Sequence, residues 1–324
     1  MSGAVLEKSR EAALDALDHG VILCRRDGLV TFANRAARSE IPALRVGSLF
    51  GRICPAVLCD DKVELAPVMG KNRFILCRAI HGGLFRVDLP GGAVADSGTG
   101  AILRRLWMRS REEGDPGAAS IPDRASFALV EALQKCFDDL RGDGVPGGTV
   151  SLAQLLSALK RRIRLPLESV GASLEIDCPP DILCRAELRS PVFTVLNVIV
   201  FMVVCASQKR IVAAVREDRD VALLTFEACD GGRAAAYLKD LFPLDENSPY
   251  LSMAPLILAF HGAVECGGRL SCRHLGEVTR LELSLPLMKG RADLVVMDPE
   301  GAVPAQLEDS LGEFFDACKK ILNF

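Results

Sequence analysis

The twelve cysteines of this 324-residue chain include no CxxC pair. The nearest neighbours, Cys54/Cys59, Cys178/Cys184 and Cys266/Cys272, lack the spacing of a zinc ribbon or finger. Cys24, Cys77, Cys205 and Cys229 sit inside apolar stretches, where a free thiol behaves as a small hydrophobe, so reduced core cysteines are expected. Cys272-Arg273-His274 is a weak metal pattern on its own. Neither sign of charge dominates: 39 basic against 42 acidic residues leave a net charge of −3, without the basic footprint of a nucleic-acid binder. One Trp, two Tyr and fourteen Phe give little for base stacking. There is no P-loop, no HExxH and no Ser-His-Asp order. Asp18-His19 and Glu112-Glu113 have no partnering context in the sequence. The first residues, MSGAVLEKSREAALDAL, are charged and amphipathic and hold no signal-peptide core, which points to the cytoplasm.

Long apolar runs are equally scarce. One stretch, Pro191 to Ser207, carries no charge, but it falls short of the ~20 residues a spanning helix needs. It opens with proline and contains Thr194 and Asn197. A helix buried against a sheet accounts for it, and no membrane insertion is expected.

Taken in order, residues 4–18 have helical spacing and stop at His19-Gly20. Val21 to Cys24 and Leu29 to Phe32 read as strands around an Arg26-Asp27-Gly28 turn, and Asn34 caps a short helix. Phe74 to Ala79 and Leu84 to Leu89 form a second hairpin around His81-Gly82-Gly83, and Ala101 to Met108 adds a last strand. His81 reads as an exposed turn histidine, and nothing marks a haem or flavin. Over residues 10–40 the order of elements, the Asp-Gly turn and the Asn-Arg-Ala landmark resemble the start of a PAS sensory domain.

Residues 109–124 form a Gly/Pro/charge-rich linker, followed by an amphipathic helix from Asp123 to Arg141. Gly142 to Gly148 is a loop. Thr149 or Ser151 caps the next helix, which Pro166 is expected to kink or end. Ala172 to Asp177 is a strand, the Pro191–Ser207 helix comes after it, and strands come next at Arg210–Arg216 and Val221–Cys229. Then stand Asp230-Gly231-Gly232, Leu241-Phe242, a helix from Met253 into His261-Gly262, and a closing strand from Val278 to Leu287.

Over residues 150–288 this order resembles the ATPase domain of histidine kinases. The resemblance implies ATP held by a strand-end Asp that reads adenine, by close-approach glycines, and by an Asn whose oxygen holds Mg²⁺. On this chain Asp230 takes the adenine position, Gly232 the first glycine and Asn197 the first helix Asn. An Asp before two glycines equally suits a turn, so both readings of Asp230 stand. The departures are larger. The second glycine is Ala234. The metal-binding position one turn after Asn197 is Phe201, which has no oxygen for a hard cation, and Val204 replaces a lysine-like residue. Tyr250-Leu251-Ser252-Met253 replace the lid glycines, with Asp245 and Glu246 nearby to repel phosphate. No histidine lies between His81 and His261, so the Asp123–Arg141 helix has no phosphoacceptor. His261, one turn beyond an apolar run, reads as structural.

Beyond Met288, Asp293 to Met297 suggests a strand. Pro304 to Phe324 suggests an amphipathic helix with Leu307, Leu311, Phe314, Cys318 and Ile321 aligned. The expected fold class is α+β: a PAS-like antiparallel sheet domain (1–108), a linker and connector or dimerisation helix (109–148), an α/β-sandwich histidine-kinase-type ATPase domain (149–288) and a C-terminal strand-and-helix extension (289–324). The expected function is signalling by contact in a two-component-type pathway, as a pseudokinase homodimer facing a response regulator or partner kinase. Asn197, Asp230 and Gly232 would be a vestigial nucleotide site, with no cofactor, no metal and no catalytic residue. The alternative is a divergent ATP-binding sensor kinase or phosphotransferase that keeps nucleotide through Asp230, with ATP and Mg²⁺ as cofactors. A scaffold that docks a receiver domain is a third reading.

Overall fold

A computed structural model of the chain describes residues 12–17, 19–52, 54, 62–68, 71–80, 82–89, 131, 134, 135, 148–180, 182–186, 189–205, 209–229, 254–287 and 306–322. The expected elements at Ala101–Met108 and Asp293–Met297, most of the Asp123–Arg141 helix, and His81, Asp230, Gly232 and the lid lie outside these residues. The described residues form two compact units. Each is taken by itself.

The first unit is built on five strands: β1 (Gly20–Arg25), β2 (Val30–Ala33), β3 (Lys62–Val68), β4 (Lys71–Ile80) and β5 (Leu84–Leu89), in the order β2-β1-β5-β4-β3. All four pairings are antiparallel. The β1–β2 turn closes where Gly28 N–H donates to the Arg25 carbonyl at 2.8 Å, as the Asp-Gly pair predicts. The helix after β2 is α1 (Arg35–Glu40), with Asn34 at its N-cap accepting from the Ala37 N–H. One face of the sheet and α1 enclose an apolar core that includes Ile22, Cys24, Ile41, Phe50, Cys54, Cys77, Val87 and Leu89. Burial pushes the Cys24 thiol up to about 12, with Cys77 nearby adding to the shift, so Cys24 stays protonated and inert. Asp18-His19 offers no partner in the sequence, but the fold supplies one for His19. Its Nε2 lies 3.3 Å from Asp88 Oδ1, which is distant in sequence and brought in by the β1–β5 pairing.

The second unit contains α2 (Leu152–Ser169), α3 (Arg189–Cys205), α4 (Ala254–Glu265) and α5 (Gln306–Leu322). A small sheet pairs β6 (Gly148–Ser151) with β8 (Leu183–Ala186). The larger sheet includes β7 (Ser173–Asp177), β9 (Arg210–Asp218), β10 (Val221–Cys229), β11 (Arg269–Leu275) and β12 (Val278–Pro286), ordered β11-β12-β10-β9-β7. The β9–β10 and β10–β12 pairs are antiparallel, and β7 runs parallel to β9. That parallel pair needs a crossover, and α3 is the helix between its strands.

Burial alternates along β10 and β12. Ala222, Leu224, Phe226 and Ala228, with Thr279, Leu281, Leu283 and Leu285, are buried, while their neighbours are half-buried. The buried residues make one face of the sheet, and helices pack on it. Every described side chain of α3 from Pro191 to Val203 is buried, because the helix packs on α4 while also meeting the sheet. None of the described helices is long and apolar enough to cross a membrane.

Pro166 does not end α2. The helix runs on to Ser169, whose Oγ donates to the Pro166 carbonyl at 2.8 Å. Proline in the last turn removes one helical bond without unwinding the residues after it, and its ring is buried. The stop comes at Gly171, with φ +68. Gly171 N–H donates to the Glu168 carbonyl at 3.0 Å and Ala172 N–H to the Leu167 carbonyl at 2.8 Å, the paired bonds of a Schellman cap. Of the two candidate caps at the other end, Ser151 is the one used, accepting from Gln154 N–H at 3.4 Å. The C-terminal helix α5 packs against α2 in the same unit, burying Leu307, Ser310, Leu311 and Phe315.

Candidate functional site

The position that the sequence assigns to a nucleotide lies along α3, with the end of β10 beside it in the chain. Cys229, the last described residue of β10, is paired with Val278 of β12, and Asp230 follows it in the chain. Asp230 and Gly232 themselves lie outside the described residues. Of the three predicted site residues, Asn197 alone has a described position.

Asn197 is fully buried. Its Nδ2 donates to the Phe193 carbonyl, one turn back on its own helix, at 2.8 Å. Its Oδ1 is buried and has no hydrogen-bond partner. The side chain therefore folds along α3 and bonds a carbonyl of the helix ladder, as a polar residue does when its helix is apolar all round.

One turn onward Phe201 is also fully buried, and Val204 is half-buried. Burying a phenylalanine stabilises the fold by about 1.5–3 kcal/mol. A hard cation at the same place would need oxygen ligands and an approach for water or phosphate. Among the described residues this part of α3 offers a single orphaned oxygen at full burial, followed one turn on by an aromatic ring. Magnesium does not fit these residues. No group with three or more His, Cys, Asp or Glu arranged for a metal occurs among the described residues, and Cys272, buried in β11, belongs to the core.

The α3–α4 contact is unusually close. A Cβ on Gly262 would fall 2.3 Å from Thr194 Oγ1. His261 lies inside α4, as the helix running into His261-Gly262 led one to expect; α4 continues to Glu265, and the histidine is buried with the residues before it. Thr194, Asn197 and His261 are thus three buried polar residues on two touching helices. The sequence signal that finds them is a polar letter inside an apolar run, and it does not separate a ligand group from a packed one.

No family model and no curated protein matches the chain. Among solved structures it is similar to the Acinetobacter baumannii histidine kinase AdeS, at 11% identity over 59% of this chain and 96% of that one, with a TM-score of 0.38. It is similar to the catalytic domain of the histidine kinase ThkA, at 8% identity over 44% and 96%, TM-score 0.37. A mycobacterial sensor histidine kinase, MprB, matches at 16% identity over 45% and 100%, TM-score 0.34.

Proposed function

We propose that the chain is a histidine-kinase-like signalling protein that works by contact and not by phosphoryl transfer. The observation that carries this is the pair Asn197 and Phe201. Where the resemblance asks for two asparagines one turn apart, the second holding the metal, the first side chain is bonded to its own helix and the second is a fully buried ring. The absence of a histidine between His81 and His261 removes a phosphoacceptor independently.

Two features support the architecture. The second unit has the order of helix, strand, buried helix, strand pair, helix and closing strand that the resemblance to a histidine-kinase ATPase domain requires. The first has the two hairpins and the Asn-capped helix that the PAS resemblance requires, joined into one antiparallel sheet. In this reading the PAS-like unit receives a signal in the cytoplasm. The ATPase-like unit presents a surface to a response regulator or partner kinase, and the Asp123–Arg141 helix pairs two copies.

A second reading keeps nucleotide binding through Asp230, which follows Cys229, the last described residue of β10, in the chain. Incubation with γ-labelled ATP and Mg²⁺ tests the first reading: no label should remain on the protein or pass to a receiver domain. Asp230→Ala tests the second, since it abolishes any nucleotide binding if the base pocket works and only perturbs a turn if it does not.

A further inference from the structure

Arg78 of β4 and Arg86 of β5 are direct cross-strand partners. Side chains so placed start about 4.5–5.5 Å apart, and like charges there oppose the pairing. Arg86 is compensated: its Nε donates to Asp88 Oδ1 at 2.8 Å, and the Asp88 side chain is only 9% exposed. The same oxygen lies 3.3 Å from His19 Nε2. Asp88 thus serves Arg86 and His19, while the Nε of Arg78 is buried with no hydrogen-bond partner. A guanidinium offers only donors, so nothing but an acceptor can satisfy that Nε–H. A buried N–H without an acceptor leaves its desolvation uncompensated.

Cys77 and Val87 point into the apolar core, so their strand neighbours Arg78, Arg86 and Asp88 share the opposite face of the sheet. Two residues beyond Arg78 on that face, Ile80 is 37% exposed and is paired with Leu84, giving an apolar flank. From the unpartnered Nε of Arg78, its cationic cross-strand neighbour and this flank, we infer that Arg78, with Arg86 and His19, binds a small soluble oxyanion on the sheet face opposite the core. The ligand group is a carboxylate or a phosphate, accepted in the forked geometry of a guanidinium.

The test is thermal unfolding of the full chain against increasing sodium phosphate or sodium butanoate, with ionic strength held constant by sodium chloride. A ligand that binds only the folded state raises the midpoint along a saturation curve. The wild type should show such a rise with at least one probe, and comparing the two arms separates phosphate from aliphatic carboxylate. Arg78→Gln should melt no lower than wild type without probe, because the like-charge opposition is gone, and should show no saturable rise. Arg78→Lys, which keeps the charge and loses the fork, should respond at about tenfold higher probe concentration. A flat response of the wild type to both probes overturns the inference, as does a rise of equal size in Arg78→Gln.

Discussion

The Nδ2 of Asn197 donates to the carbonyl of Phe193 on the same helix, and the Oδ1 of the same amide is buried without a partner. An unsatisfied buried acceptor costs about 1–3 kcal/mol. Asn197→Leu, similar in shape and free of polar atoms, should therefore be neutral or stabilising by about 1 kcal/mol in urea denaturation. A loss of more than about 2 kcal/mol would mean that the amide oxygen holds a group that matters.

Asn34 is the counterexample in the first unit. It too is fully buried, but its Oδ1 accepts from Val21 N–H at 2.8 Å and Ala37 N–H at 2.9 Å. Its Nδ2 donates to the Leu14 and His19 carbonyls at 3.0 and 2.9 Å. Asn34→Ala loses a helix cap and strands buried backbone groups, so it should cost roughly 2–4 kcal/mol. Asn34→Asp keeps both acceptor bonds and should lie between. The two asparagines thus respond to substitution with opposite sign, measured by the same denaturation experiment.

Gly262→Ala should destabilise the second unit by roughly 1–3 kcal/mol, because its Cβ would meet Thr194 Oγ1 at 2.3 Å. In the Thr194→Ala background the obstacle is gone, and the same change should cost clearly less. A double-mutant cycle measures that difference as a coupling energy. Additive costs would show that the helices separate at this point in solution.

Cys24, with its pKa pushed up from 9.0 to about 12, gives an alkaline prediction. The folded chain holds this proton over a range in which the unfolded chain has released it. The stabilisation is complete below the unfolded value and is lost as pH rises through about 9 towards 12. Cys24→Ala should flatten that part of the stability profile. Iodoacetamide should leave Cys24 unmodified in the native chain at neutral pH and modify it after unfolding.

Much of the second unit is legible from local pattern. The period-two alternation of VALLTFEAC and VTRLELSLP reproduces the burial of β10 and β12, and the uncharged run from Pro191 is the buried α3. The elements that escape sequence reading are non-local or short. β6 has four residues, Gly148–Ser151, too few to show a period, and its strand status comes from β8. The charge-bearing β11 carries no strand signal of its own, since RLSCRHL shows no clean alternation and its place depends on β12. Pro166 misleads because a proline in the last turn costs little where Gly171 provides the stop. His19 has no visible partner until β1 and β5 pair and bring up Asp88. At the candidate site, the residue types at 197 and 201 are enough to single out the positions that the resemblance assigns to the asparagine pair, but only the fold shows that Asn197 turns back on Phe193.

The central claim is that α3 has exchanged a magnesium position for core packing. Isothermal titration of the full chain with ATP and Mg²⁺ addresses it directly. The account predicts no magnesium-dependent binding: heats no larger than dilution with Mg-ATP, or weak binding that is unchanged when the metal is chelated. Saturable, tight binding that requires Mg²⁺, accompanied by phosphoryl transfer, would contradict it.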